Sequence, residues 1–162
     1  LSNTPFRLFK HWVHEGGIAT PFIISWPDKI KKSKTVKSVS YIADITATCI
    51  DIAGAKYPHK YNGKKITPLE GESFSDILMG NKWQRKQPVF WEHEGNGAVR
   101  DGKWKLVKRI EENKWELYNM QEDRTETNNL ALENQKVVER LKQKYNEWMK
   151  KCGVLKRPLE KN

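Results

Sequence analysis

The sequence predicts an α/β fragment, one strand plus one helix, followed by a small α+β subdomain. In the second part an antiparallel meander of about four strands is packed by a C-terminal helix. Three observations carry this. Pro21-Phe22-Ile23-Ile24-Ser25-Trp26 is a short continuous apolar run stopped by Pro27, the pattern of a strand buried on both faces. Short runs between 88 and 118 alternate apolar and polar residues and are joined by tight polar turns, which predicts consecutive antiparallel strands. Val137, Val138, Leu141, Tyr145 and Trp148 recur at helical spacing and predict an amphipathic helix over about 134–151.

The elements follow in order. Asn3, Thr4 and Pro5, then Gly16-Gly17, punctuate residues 1–20 as loop and turn. The apolar run at 21–26 leads into a loop carrying Lys29, Lys31, Lys32, Lys34 and Lys37, which reads as a solvated charge run. Ile42, Ile45, Cys49 and Ile52 predict a helix, and Gly54 its stop. Residues 55–87 are mostly loop, with a short helix from Ser73 to Met79 ended by Gly80. Pro88 to Glu92 is a strand. Gly97–Arg100 and Lys103–Val107 flank Asp101-Gly102, which predicts a type I′ hairpin turn there. Trp104 and Leu106 share one face of their strand, Lys103 and Lys105 the other. Lys114 to Tyr118 is the last strand, and the C-terminal helix covers the Trp face. Gly153 and Pro158 end that helix. The expected organisation is a piece of a larger α/β domain at 1–55, a connecting segment at 56–87, the sheet-and-helix subdomain at 88–153 and a tail at 154–162.

The 162 residues suit one domain or a domain plus part of another. No apolar run approaches the ~20 residues that span a bilayer. Cys49 and Cys152 are the only cysteines, which excludes a disulfide scaffold and a four-cysteine zinc site. At 37% the hydrophobic share is low, as expected of a chain with much polar surface or one cut from a larger protein. Leu1-Ser2-Asn3-Thr4-Pro5 shows no initiator Met and no signal-peptide pattern, so the terminus does not assign a location. The net charge of +10 fits an anionic partner or a Lys-rich surface. The excess is spread along the chain, with 11 basic and 5 acidic residues in 1–70 and 19 and 15 in 71–162.

There is no glycine-rich phosphate loop, His-Glu-x-x-His or Gly-x-Ser-x-Gly. His11 and His14 have a spacing that ligates metal from a helix, but Gly16-Gly17 argues against a helix there, and no metal ligand is assigned. The informative stretch is Lys10-His11-Trp12-Val13-His14-Glu15-Gly16-Gly17-Ile18-Ala19-Thr20-Pro21, followed by the apolar run ending Trp26-Pro27. Ala43-Asp44-Ile45-Thr46-Ala47-Thr48 with Asp51-Ile52-Ala53-Gly54 comes next, then Glu70-Gly71-Glu72-Ser73. Trp91 to Asn96, Ala98 to Arg100, Gly102 to Leu106, Glu116 to Asn119 and Asn129-Leu130-Ala131 complete an ordered set. Together they resemble the C-terminal region of the formylglycine-dependent sulfatases, arylsulfatase-like members of the alkaline phosphatase superfamily.

The resemblance implies a sulfuric ester hydrolase acting on a sulfated carbohydrate or an aryl sulfate. It implies calcium and a formylglycine nucleophile, with the ligands and nucleophile outside this chain. Cys49, followed by Ile50-Asp51-Ile52-Ala53, and Cys152, followed by Gly153-Val154-Leu155-Lys156, both miss the family's Cys/Ser-x-Pro/Ala-x-Arg motif. The chain alone is therefore expected to be inactive, and the parent protein periplasmic or secreted. Lys10 is the catalytic position carried over, as the lysine that contacts sulfate; from residues alone it reads as an exposed loop lysine. Glu15-Gly16-Gly17 is expected to shape a turn through glycine's tolerance of positive φ. His93, with Glu92 and Glu94 beside it, reads either as a substrate-pocket group after a strand end or as a rim histidine. Arg100 pairs with a carboxylate or reaches the pocket, with packing also open. The runner-up reading is a basic, Trp-rich nucleic-acid-binding or non-catalytic interaction module. No specific nucleic acid and no membrane span are expected. Self-association through the strand at 21–26 is expected instead, because its neighbours are not in the sequence.

Overall fold

A computed structural model describes residues 3–155. The proposed tail at 154–162 and Pro158 lie almost wholly outside the described residues. The described residues divide into two compact units, one formed by 3–21 with 87–155 and the other by 22–86. Residues 3–21 thus group with the sheet, although the sequence reading groups them with the helix near 42–53. No helix among the described residues is long and apolar enough to cross a membrane.

The first unit holds the helical turn α1 (Glu15–Ile18), strands β3 (Val89–His93), β4 (Asn96–Asp101), β5 (Trp104–Lys108) and β6 (Trp115–Asn119), and helix α4 (Gln135–Cys152). The four strands form one antiparallel sheet in sequence order, as predicted. One face carries Phe90, Val99, Leu106 and Leu117 and is covered by Leu141, Tyr145 and Trp148 of α4. Phe90 stacks on Trp148 with ring centroids 5.2 Å apart. Leu106, Leu117 and Leu141 are fully buried, each contributing about 1.5–3 kcal/mol. Gly153 ends α4 in the left-handed region at φ 66°, the usual glycine stop.

The turns differ from expectation in one place. Asp101 pairs with Trp104, so Gly102-Lys103, not Asp101-Gly102, are the central turn residues. Of that pair only Gly102 has positive φ, which suits a type II′ turn with glycine first. The pattern demanded by type I′, positive φ at both central residues, occurs instead at Glu94-Gly95 (52° and 85°) between β3 and β4.

The second sheet face is the larger surprise. Ala98, Val107, Tyr118 and Met120 are buried there against Val13, with Trp91 and Ile18 packed alongside. Residues from the N-terminal segment form this cover, so the face carrying Lys105 is interior and Lys105 is fully buried.

The second unit contains α2 (Ile42–Ile52), the two-stranded ribbon β1 (Lys60–Tyr61) and β2 (Lys64–Lys65), and α3 (Ser75–Leu78). The fully buried Asp44 organises it, accepting hydrogen bonds from the backbone N–H of Tyr41 and of Glu72, each at 2.7 Å, and pairing with Arg85. Thr48 accepts from the Phe74 N–H at 3.0 Å, and Ser73 donates to Asp51 at 2.5 Å. The Asp-containing helix and the Gly-x-Ser segment are thus tied together. The helix buries Asp44, Ala47 and Thr48. Its predicted apolar stripe is not buried: Ile42 is 76% exposed, and Cys49 and Ile52 are also exposed. Residues 21–26 form no ladder, and Ile23 is 91% exposed.

Candidate functional site: a lysine turn clamped over a buried ionic layer

Lys10 and His11 are the central residues of a turn closed by the Trp12 N–H on the Phe9 carbonyl at 3.1 Å. His11 has φ 90°, the value position i+2 of a type II turn requires and one that side chains other than glycine rarely adopt. Both side chains are exposed. The turn is fixed on each side. Before it, Arg7 donates to Tyr118 Oη at 2.7 Å and to Glu116 Oε2 at 3.1 Å. After it, Val13, His14 and Glu15 are buried.

His14 Nε2 lies 3.0 Å from Glu116 Oε2; an ionised carboxylate only accepts, so this nitrogen donates. The Glu15 backbone N–H donates to Glu126 Oε2 at 2.8 Å, satisfying an otherwise orphan donor at the start of α1. Lys105 Nζ reaches Glu15 Oε1 at 3.1 Å and Glu126 Oε1 at 2.8 Å. Arg124 also pairs with Glu15, at 3.4 Å.

Glycine at 16 and 17 has a reason other than the expected one. Neither adopts positive φ. A Cβ at Gly16 would overlap the Leu8 and Arg7 carbonyl oxygens, and one at Gly17 the Trp12 and Phe9 carbonyl oxygens. The Glu-Gly-Gly run therefore lets the lysine turn fold back against its own helix.

The titration of the layer follows from these contacts. Burial alone would raise Glu116, but the His14 hydrogen bond and the charge and hydrogen bonds of Arg7, with Tyr118, pull it down to about 2 from 4.5. Burial likewise opposes ionisation of Glu15, and Lys105 outweighs it, so Glu15 lies below the usual carboxylate range. Tyr118 is pushed up by burial and by Glu116. Because Glu116 is depressed in the folded chain, its contribution is full above its unfolded value of 4.5 and is lost as pH falls toward about 2. The contribution is about 2–3 kcal/mol after allowance for screening. Urea unfolding between pH 6 and pH 3 should show a steeper loss for the native chain than for Glu116→Gln; equal slopes would contradict the assignment.

The structure brings only some predicted site residues together. His93 ends β3 and Glu94 occupies the hairpin tip; His11 Nδ1 lies 3.2 Å from Glu94 Oε2, and the His11 and His93 rings meet edge to face at 5.3 Å. Glu92 lies on the α4 face of the sheet and caps the hairpin by accepting the Gly95 N–H at 2.7 Å; burial, and after it the charge of Glu92, push the Tyr145 hydroxyl up. Arg100 sits in the buried layer, where burial lowers its guanidinium and the charges of Glu15 and Glu126 support it. His11 and His14 do not share a site, since His11 is exposed and His14 buried on Glu116. Sequence reasoning missed the layer of Arg7, His14, Glu15, Lys105, Glu116 and Glu126. A signal for it exists: Ala98, Val107 and Tyr118 lie on the same sheet face as Lys105, too apolar for an open surface.

A small meander whose second face is sealed by a lysine-bearing segment is an accessory layer that holds one cationic turn in place. The chain belongs to the family of the N-sulphoglucosamine sulphohydrolase C-terminal region, whose pattern matches residues 6–151. It is 29% identical over 163 residues to an uncharacterized sulfatase of Schizosaccharomyces pombe, covering 97% of this chain and 29% of that protein. It is 33% identical over 150 residues to a sulfatase of Formosa agariphila, covering 82% of this chain and 26% of that one. A solved structure from work on the metabolism of multiple glycosaminoglycans by Bacteroides thetaiotaomicron shares the fold, with TM-score 0.71 and 20% identity over 88% of this chain and 31% of its own. The chain thus spans less than a third of the length of these relatives.

Proposed function

We propose that this chain is the C-terminal part of a sulfuric ester hydrolase, that Lys10 contacts the sulfate group, and that His93 and Glu94, with His11, border the rest of the substrate. The observation that supports it best is Lys10 exposed at the tip of a turn anchored by the half-buried Arg7 before it and by the buried His14 and Glu15 after it. An ammonium is a compact charge suited to a tetrahedral anion. Fixed beside a sulfate oxygen, it stabilises the negative charge that grows as the ester bond breaks, without reorganising at that moment. His93 and Glu94 offer hydrogen-bonding groups to hydroxyls, which favours a sulfated carbohydrate over an aryl ester. Glu92 and Arg100 serve this reading from behind, one by capping the hairpin and the other within the buried layer.

Calcium and formylglycine, which the resemblance implies for the whole protein, find no fitting residues here. Calcium takes six to eight oxygen ligands. Among the described residues the one group of three or more possible ligands is His11, His93 and Glu94, which is rich in nitrogen. Both cysteines lie outside the nucleophile motif. In this reading the two groups belong to residues outside the chain, in a parent protein that is periplasmic or secreted. The exposed run at 21–26 and the exposed stripe of α2 are surfaces for missing neighbours or for a second copy. Against a nucleic-acid module, Trp104 and Trp115 pack beneath α4 and present no stacking platform.

The purified chain should show no turnover of an aryl sulfate or a sulfated oligosaccharide with calcium added, while the longer protein that contains it should hydrolyse at least one of them. Metal-dependent turnover by the chain alone, or a longer protein without a Cys/Ser-x-Pro/Ala-x-Arg motif, would defeat the proposal.

A further inference from the structure

The group formed by His11, His93 and Glu94 has a second chemical reading that does not depend on the sulfatase assignment. One ligand atom from each of the three lies within 4.8 Å of the others. The His11 Nδ1–Glu94 Oε2 separation of 3.2 Å matches the edge of a tetrahedron around a metal with bonds of about 2.0–2.1 Å, which is roughly 3.3 Å. His93 closes the third corner by a side-chain adjustment, which its exposed position permits. Two of the ligands stand on rigid backbone, His93 at the end of a paired strand and Glu94 in a two-residue hairpin. The third is carried by a turn that the Arg7 hydrogen bonds hold before it and the buried Val13, His14 and Glu15 hold after it.

We infer that His11, His93 and Glu94 form a divalent transition-metal site, with zinc as the best-fitting ion and a fourth position open to water or an anion. Two imidazoles and one carboxylate are a donor set that suits zinc, nickel or copper rather than magnesium or calcium. One carboxylate leaves a bound Zn²⁺ with net positive charge, so an anion or hydroxyl is the natural fourth ligand. The ligands are exposed, so the ion exchanges with solvent. Its occupancy would use the same His93 and Glu94 that the proposed function assigns to substrate.

The test uses the chain as it stands, with Zn²⁺ alone as probe. Calorimetric titration should give one site per chain, and Co²⁺ substitution should give the intense visible absorption of a tetrahedral ion. His11→Ala and His93→Ala should each weaken zinc binding by at least about tenfold, the scale on which even outer-shell changes act. Both side chains are exposed, and circular dichroism checks that the variants fold. His59→Ala removes an exposed histidine elsewhere and should leave binding unchanged. No binding at millimolar zinc, or equal binding by the native chain and His93→Ala, would overturn the site. Neither outcome bears on sulfate hydrolysis, so failure here is distinct from failure of the proposed function.

Discussion

Lys105→Ala is expected to cost the chain about 3–5 kcal/mol, the scale on which removing one partner of a buried ion pair acts. Lys105 has no solvent exposure, and its ammonium is the group that meets both Glu15 and Glu126. Without it, two carboxylates remain in a layer that α1 and the sheet close off from water. A domain of this size has only about 5–15 kcal/mol to lose, so the variant should unfold at much lower urea. Release should begin locally, with faster hydrogen exchange over residues 13–18, because Glu15 and the Glu126 contact to its N–H anchor that segment. The combined variant Lys105→Met, Glu15→Gln, Glu126→Gln should recover part of the loss, since the two unpaired carboxylates are gone, and not all of it, since Arg100 then lacks the charges of Glu15 and Glu126 that support it. A loss below about 1 kcal/mol for Lys105→Ala would show that water reaches this layer.

This layer also marks where the sequence stopped being legible. The meander, its order and α4 follow from local patterns: alternation in β3 to β6 and the stripe through Leu141 and Tyr145. Those patterns describe one strand or one helix at a time. That residues 6–18 return to cover the second sheet face is a long-range event, and nothing in the alternation of Trp104-Lys105-Leu106 reveals it. Lys105 consequently reads as a solvent-facing residue although it is interior. The turn at 101–104 slipped by one residue because Asp-Gly and Gly-Lys both supply a glycine where positive φ is needed. For α2 the stripe of Ile42, Ile45, Cys49 and Ile52 does mark an apolar face, but within the chain the polar side with Asp44 and Thr48 is the buried one. At the proposed site, the sequence nominates Lys10 from the ordered motifs and His93 and Glu94 from their place after a strand, whereas the approach of His11 to Glu94 needed the folded turn.

The sulfate-contacting role proposed for Lys10 is tested by replacing it in the longer protein that contains this chain. Its side chain is exposed, so Lys10→Ala should fold normally; the anchors at Arg7, His14 and Glu15 are untouched. Loss of one fixed donor to a developing anion typically costs about 2.7–4 kcal/mol, or roughly a hundredfold to a thousandfold in turnover. Lys10→Arg keeps the charge but replaces a point donor by a planar fork, and should fall between the two. The measurement is kcat on a sulfate ester for the native enzyme, Lys10→Arg and Lys10→Ala, with thermal unfolding run in parallel. A drop in kcat of at least about tenfold is expected for Lys10→Ala, with unfolding unchanged. Undiminished kcat in a well-folded Lys10→Ala enzyme would contradict it.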